Sequence, residues 1–309
     1  MKRIVLIVSA VLLAAPLFAW NRTGHTAIAQ IAEDHVSRKT KKALDKYLDG
    51  MSITDIASYP DKYYYEWTRD IGWECSNPSI LRRKPSELDV QPTNIEPWCH
   101  SFTVDSLCNC YHHNREGDVY VRNAVMDIDQ VAGELKNNIK NMSPEEIKVK
   151  IAVVVHLVGD FHCPFHTLYV PQAPTGGKYS IYLGEKKYNI HSFWDSVIFN
   201  RLNKEWSYTN YAEAADTATK DEIVEIVKGD IYDWASRSAK DVLPAHNLEP
   251  GQYLPLDYPE SMRWLVYQQL RNGGYRLARL LDYIFDGTSS DKDTGVQDFP
   301  LVPSACSKL

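Results

Sequence analysis

With 309 residues, 44% of them hydrophobic and 24% charged, the chain is large enough to bury a substantial core in one domain. Its 34 Lys and Arg against 40 Asp and Glu give a formal net charge of −6, which excludes a general basic footprint for long nucleic acid. Attraction for phosphate must then be local, and bound metal ions are one way to supply it.

In chain order, residues 1–19 carry Lys2 and Arg3, an apolar run over 4–13, and then Ala14, Ala15 and Ala19. This is the pattern of a secretory leader, too short to read as a membrane span. Cleavage after Ala19 makes Trp20 the amino terminus and sends the mature chain to the periplasm or the exterior. All six cysteines, Cys75, Cys99, Cys108, Cys110, Cys163 and Cys306, fall in the exported part, and an even count there predicts disulfides without fixing their pairing.

The mature chain opens WNRTGHTAIAQIAEDHV. A helix starting at Thr23 or Gly24 places Ile28, Ile31 and Ala32 on an apolar face and His25 in its first turn. His35 reads as a packing or surface residue. A helix over 38–48 ends at an Asp49–Gly50 turn. Asp61 follows Pro60 in a stretch dense in tyrosine and fits equally well an exposed position on an aromatic helix. Residues 71–97 are polar and rich in proline, which predicts a long loop. His100 lies in EPWCHSFTVD, an extended or irregular piece where it reads as well for structure as for function. His112 and His113 read as solvated loop residues, and a helix over 118–139 follows.

The segment SPEEIKVKIAVVVHLVGDFHCPFH, residues 143–166, is organised differently. Ser143 caps a helix, Pro144 suits its first turn, and Glu145 and Glu146 lie at its positive end. The run is apolar on nearly every face, which marks a helix surrounded by others. Into it are set His156 and Asp160, spaced i, i+4 on one face, with Gly159 leaving room beside them. Pro164 ends the helix so that His166 can turn back toward the same region. A second pair with the same spacing, His191 and Asp195, follows in NIHSFWDSVIF. One such pair is explained by a satisfied core histidine; two, with His166 between them, exceed what packing requires. Imidazole with carboxylate is a donor set that suits zinc. Cys163 stands among these residues and could itself bind metal, but it reads more readily as half of a disulfide or as a free buried thiol, because the nearby histidines and aspartates already complete plausible sites. KYSIYLGEKKYNI, over 178–190, alternates around Gly184–Glu185 and predicts a β-hairpin. Helices are expected over 220–242 and 259–285, with a loosely ordered tail after 287.

In order along the chain, these residues resemble the S1/P1 nuclease family, which shares its mainly helical fold with bacterial zinc phospholipase C. The matching positions are Trp20 and His25 in WNRTGH, Asp61 in IASYPD, His100 in PWCHSF, His156 and Asp160 in HLVGD, His166 in CPFH, and His191 and Asp195 in HSFWD. The motifs run from Trp20 to about residue 200, and RLARLL near the C-terminus is similar too. The resemblance implies a mainly α, multi-helix single domain over 20–309 with a small β-hairpin. It also implies three zinc ions. One would be held by Asp61, His100, His156 and Asp160. A second would take His25, the shared Asp160, and the amino nitrogen and carbonyl oxygen of Trp20. The third would take His166, His191 and Asp195.

The implied activity is that of an exported endonuclease and 3′-nucleotidase. It would cleave the P–O3′ bond of single-stranded RNA or DNA and of 3′-nucleotides, with Asp61 and Asp160 holding the catalytic ions and an activated water. Preference for unpaired strands would come from bases stacking on aromatic rings, for which Tyr59, Phe102 and Tyr182 are candidates, with Asp105 as an acidic contact. The chain departs from the fungal pattern of an aromatic residue directly after the ligand histidine and an acidic one two places later. Here the histidine is followed by Ser101, Phe102, Thr103, Val104 and Asp105. The same metal set also suits a phospholipase C-like headgroup hydrolase or a non-catalytic zinc-binding protein. No protein partner and no stable membrane insertion are implied.

Overall fold

A computed structural model describes residues 20–61, 100–112, 115–116, 119–120, 123–169 and 179–287. The leader, the loop expected over 71–97, the tail, His113 and Cys75, Cys99 and Cys306 lie outside the described residues. The chain is mainly helical with a few short strands.

Local capping explains where the first helices begin. The Asn21 side chain accepts from the Gly24 amide to start α1 (Arg22–His35), and Ser37 accepts from Thr40 to start α2 (Arg38–Tyr47). A reciprocal box between Ser52 and Asp55 fixes the short α3 (Ile53–Ile56). Strand β1 (Phe102–Val104) comes next, then the paired strands β2 (Arg115–Glu116) and β3 (Val119–Tyr120). The helix expected over 118–139 therefore begins later, as α4 (Ala124–Asn138), where Asn123 accepts from the amides of Val125 and Met126.

Helix α5 (Pro144–Phe161) begins as its sequence requires, with Ser143 accepting from the Glu146 amide. Every residue from Val149 to Phe161 is buried, and each large aliphatic side chain among them contributes roughly 1.5–3 kcal/mol by leaving water. A single 3-10 turn, Pro164–His166, then leads into β4 (Thr167–Tyr169). β4 pairs in parallel with β1, Phe102 opposite Thr167. The expected hairpin is present as β5 (Ser180–Leu183) and β6 (Lys186–Asn189), turning at Gly184 with a φ of 62°.

Beyond it lie α6 (Ile190–Ser192), a π-helical turn Phe193–Val197, α7 (Ile198–Asn203) and α8 (Tyr208–Ala215). The helix expected over 220–242 is two, α9 (Lys220–Val227) and α10 (Ile231–Asp241). Gly229 between them takes a φ of 86°, and Asp230 restarts the chain by accepting from the amides of Tyr232 and Asp233. After α11 (Leu243–His246), strand β7 (Tyr253–Leu254) joins β5 in parallel, so the hairpin grows into a sheet of order β6-β5-β7. The short α12 (Tyr258–Ser261) precedes the long α13 (Arg263–Phe285).

α1 is the hub of the core, packed against α13, α8 and α5. Its closeness to α13 depends on Gly274, where a Cβ would collide with the Ile31 side chain. No helix among the described residues is long and apolar enough to cross a membrane.

Candidate metal centre

Four separate stretches deliver their side chains to the buried face of α5. His156 and Asp160 stand one turn apart on that helix. α1 crosses beside Gly159 and brings the His25 ring into a parallel stack on His156, with centroids 4.1 Å apart. The β1–β4 ladder begins two residues after His100 and directly after His166, and so fixes these two histidines side by side. Asp61 enters just beyond α3.

Asp160 is at the centre of the arrangement and fully buried. Its Oδ1 lies 3.3 Å from His25 Nε2, while Oδ2 lies 2.6 Å from His100 Nδ1 and 3.5 Å from His156 Nε2. Asp61 Oδ1 is 3.3 Å from His156 Nε2. Tautomers follow from the outer contacts. His156 Nδ1 donates to the Ala57 carbonyl at 3.0 Å and His166 Nδ1 donates to the His100 carbonyl at 2.6 Å. Each leaves a lone pair on Nε2, directed inward.

A further set forms around Asp195, on the π-helical turn, whose wider winding carries it toward His166. Asp195 Oδ1 lies 3.4 Å from Cys163 Sγ and 3.9 Å from His166 Nε2, and Oδ2 lies 3.4 Å from His191 Nε2. The Nε2 atoms of His166 and His191 are 3.0 Å apart. Three groups of donor atoms thus lie within 4.8 Å of one another: His25, His156 and Asp160; Asp61, His100 and His156; and Cys163, His166 and Asp195.

The residues fit bound cations. His25 Nδ1 and Nε2, His156 Nε2 and Asp160 Oδ1 are buried with no hydrogen-bond partner. Such an atom costs about 1–3 kcal/mol when left unpaired. Divalent ions would satisfy one nitrogen of each imidazole and the carboxylate oxygen, and imidazole with carboxylate is a set zinc accepts. Electrostatics agree. Burial disfavours charge on His156, yet the Asp160 and Asp61 carboxylates outweigh it and hold its pKa above the ordinary value. Burial likewise opposes ionisation of Asp160, but His156 and His100 hold it well below the usual carboxylate range. Burial, aided by His191, pushes His166 well down. Burial pushes Asp195 and the Cys163 thiol well up, so this corner lacks a compensating positive charge.

The remaining sequence candidates fall differently. Trp20 is fully buried, its ring edge-on to Phe199 at 5.2 Å, and the next amide, Asn21, donates to the Asp195 carbonyl at 2.7 Å. Phe102, expected to stack on a base, is instead fully buried with its ring edge-on to Phe161, because β1 is an interior strand. Asp105 closes its own turn, accepting from the amides of Leu107 and Asn109 and from the Asn109 side chain. Tyr59 is half-buried against the core. Tyr182 stacks on Tyr253 across β5 and β7, centroids 4.5 Å apart. Cys108, Cys110 and Cys163 are free buried thiols, so no disulfide joins the described cysteines. Sequence reasoning did not place Cys163 on the Asp195 side chain; its position three residues after Asp160 and three before His166 was the available signal.

Carboxylates and imidazoles converging inside a mainly helical fold form groups of donors that could hold metal ions. The S1/P1 nuclease family matches residues 20–286, and the chain belongs to that family. Similar proteins include Endonuclease 4 of Arabidopsis thaliana, 22% identical over 296 residues, 89% of this chain and 92% of that one. Endonuclease 2 of the same plant is 23% identical over 295 residues, 89% of this chain and 93% of that protein. Endonuclease 5 is 21% identical over 290 residues, 86% and 90% of the two chains.

Proposed function

We propose that the chain is a zinc-dependent nuclease that hydrolyses the P–O3′ bond of single-stranded nucleic acid and of 3′-nucleotides, leaving 5′-phosphorylated products. The observation that carries this reading is the convergence of buried His25, His156 and Asp160, with His25 Nε2, His156 Nε2 and Asp160 Oδ1 lacking hydrogen-bond partners. Family membership and the similarity to plant endonucleases support nucleic acid as the substrate.

Zinc bound here would supply Lewis acidity toward a phosphate oxygen and lower the pKa of a water. The protein's own part is to present donors in fixed orientations. The Ala57 and His100 carbonyls accept from Nδ1 of His156 and His166 and so turn Nε2 toward the cluster. Asp160 spans two donor groups with its two oxygens. His25, His156 and Asp160 have fully buried side chains, whereas those of Asp61, His100 and His191 are 12%, 16% and 15% exposed. A phosphate therefore reaches the cluster from the side of these three residues.

We also assign the amino group of Trp20, freed by removal of the leader, as a ligand, which makes export a condition of activity. The Asn21 tether to Asp195 supports this by holding the start of the folded domain beside the cluster. A chain retaining one residue before Trp20 should hold less zinc; full occupancy in that form would reject the role of the amine, and cell fractionation tests export.

The deciding experiment is incubation of the mature protein with single-stranded and duplex DNA, RNA and 3′-AMP, with and without chelator. Chelator-sensitive cleavage of single strands yielding 5′-phosphates is expected. Release of phosphocholine from lipid vesicles with no effect on nucleic acid would replace this reading with a phospholipase C-like one.

A further inference from the structure

Cys163 has no role in the reading above, yet its place is unusual. It follows the C-terminus of α5, where its amide donates to the Asp160 carbonyl at 2.9 Å. Its side chain is fully buried. Its Sγ lies 3.4 Å from Asp195 Oδ1, the same oxygen that lies 3.9 Å from His166 Nε2. His191 faces the other oxygen, Oδ2, at 3.4 Å, and its Nε2 meets that of His166 at 3.0 Å. Four ligands at about 2.0–2.3 Å from one tetrahedral ion are separated from each other by roughly 3.3–3.7 Å. The four observed separations, 3.0–3.9 Å, bracket that range, and Cys163 Sγ lies within 4.8 Å of a ring nitrogen of His166. An ordinary buried cysteine packs among apolar side chains; this one completes a group with a carboxylate and an imidazole.

We propose that the Cys163 thiolate is a ligand of the metal ion held by His166, His191 and Asp195. The inference rests on the metal-dependent reading of the centre. On binding, the thiol proton leaves to solvent as the sulfur–metal bond forms. The sulfur adds a soft donor to the carboxylate and imidazoles of this set. It also biases the set toward zinc, cobalt and cadmium over magnesium and calcium, which favour all-oxygen ligands.

The test is cobalt substitution of the mature protein followed by absorption spectroscopy. Ligand-field bands in the visible report that the centre loads at all. A sulfur-to-cobalt charge-transfer band in the near ultraviolet reports thiolate ligation. The expected result is both signals in the wild type, with the charge-transfer band lost and the visible bands retained in Cys163→Ser. Visible bands without a charge-transfer band in the wild type would overturn the assignment while leaving the metal-dependent reading intact, as would a band that persists in the variant. Absence of both signals would remove the metal reading and this inference with it. Should Cys163→Ser fail to fold, judged by far-UV circular dichroism, zinc X-ray absorption on the wild type gives the same answer. A sulfur shell at about 2.3 Å supports the assignment, and nitrogen and oxygen alone refute it.

Discussion

The backbone of Gly159 passes directly beneath the imidazole of His25, and a Cβ at this position would collide with Nδ1 and Cε1 of the ring. Helix propensity alone favours alanine over glycine by about 0.5–1 kcal/mol. The collision is with a buried, stacked ring that cannot step aside, and overpacking of that kind costs about 1–3 kcal/mol. Gly159→Ala should therefore lower the melting temperature and displace His25 from the cluster. Zinc content and turnover should both fall, turnover by about 10-fold or more. Wild-type zinc content in this variant would contradict the placement of His25.

Metal removal should destabilise the fold as well as stop hydrolysis. His25 Nε2, His156 Nε2 and Asp160 Oδ1 face one another without hydrogen-bond partners, so the metal-free cluster retains the cost of buried polar groups. Free zinc at 100–1,000 times its dissociation constant adds about 3–4 kcal/mol for one site. Calorimetry with and without chelator should show a clear fall in melting temperature that added zinc reverses.

Asp160→Asn and His156→Ala each remove a donor from the centre of the cluster. Both should reduce zinc content, measured by elemental analysis, and lower turnover by at least about 100-fold. Retained activity in either variant would reject the assignment of that residue.

His246 links acidity to the wall of the site. Its Nε2 donates to the Pro164 carbonyl at 2.6 Å and its ring stacks on Phe165 at 4.4 Å, just ahead of His166. Burial lowers its pKa from 6.5 to about 4. Above pH 6.5 neither folded nor unfolded chain protonates this ring. Between 6.5 and about 4 only the unfolded chain does, so stability is lost as pH falls through that window, by up to about 3 kcal/mol. Urea unfolding of metal-free protein at pH 7 and pH 4.5 should show this loss, and His246→Gln should show less of it.

Arg276 is buried inside α13, donating from Nη1 to His162 Nε2 at 2.9 Å and from Nε to the Ile226 carbonyl at 3.2 Å. Burial lowers its pKa to about 9. Arg276→Ala leaves a cavity and strips both acceptors of their donor, so a loss of about 2–4 kcal/mol is expected in chemical denaturation. Equal midpoints for the two proteins would deny the pair a stabilising role.

Much of the centre was legible in the sequence because its signals are local. The capping of α5, the spacing of His156 and Asp160, and the alternation of the hairpin each concern neighbours a few residues apart. What stayed hidden depends on distant pairing or on a single residue's backbone. Phe102 lies in an extended piece whose burial is decided by β4, over sixty residues away in the chain. The split of the 220–242 helix rests on Gly229 and its capping Asp230, punctuation that the surrounding helical pattern outweighed. The spacing of His191 and Asp195 reads as one α-helical turn, whereas the chain winds as a π-helix there.

The division of Asp160 between two donor groups, one oxygen toward His25 and the other toward His100 and His156, bears on how the cluster assembles. Filling one group fixes the carboxylate in the orientation the other needs, and so prepays part of its ordering entropy. Uptake should accordingly be cooperative, with the population divided between empty and fully charged molecules and partly loaded ones scarce. Exposure to limiting zinc would then leave fewer working enzymes rather than many impaired ones.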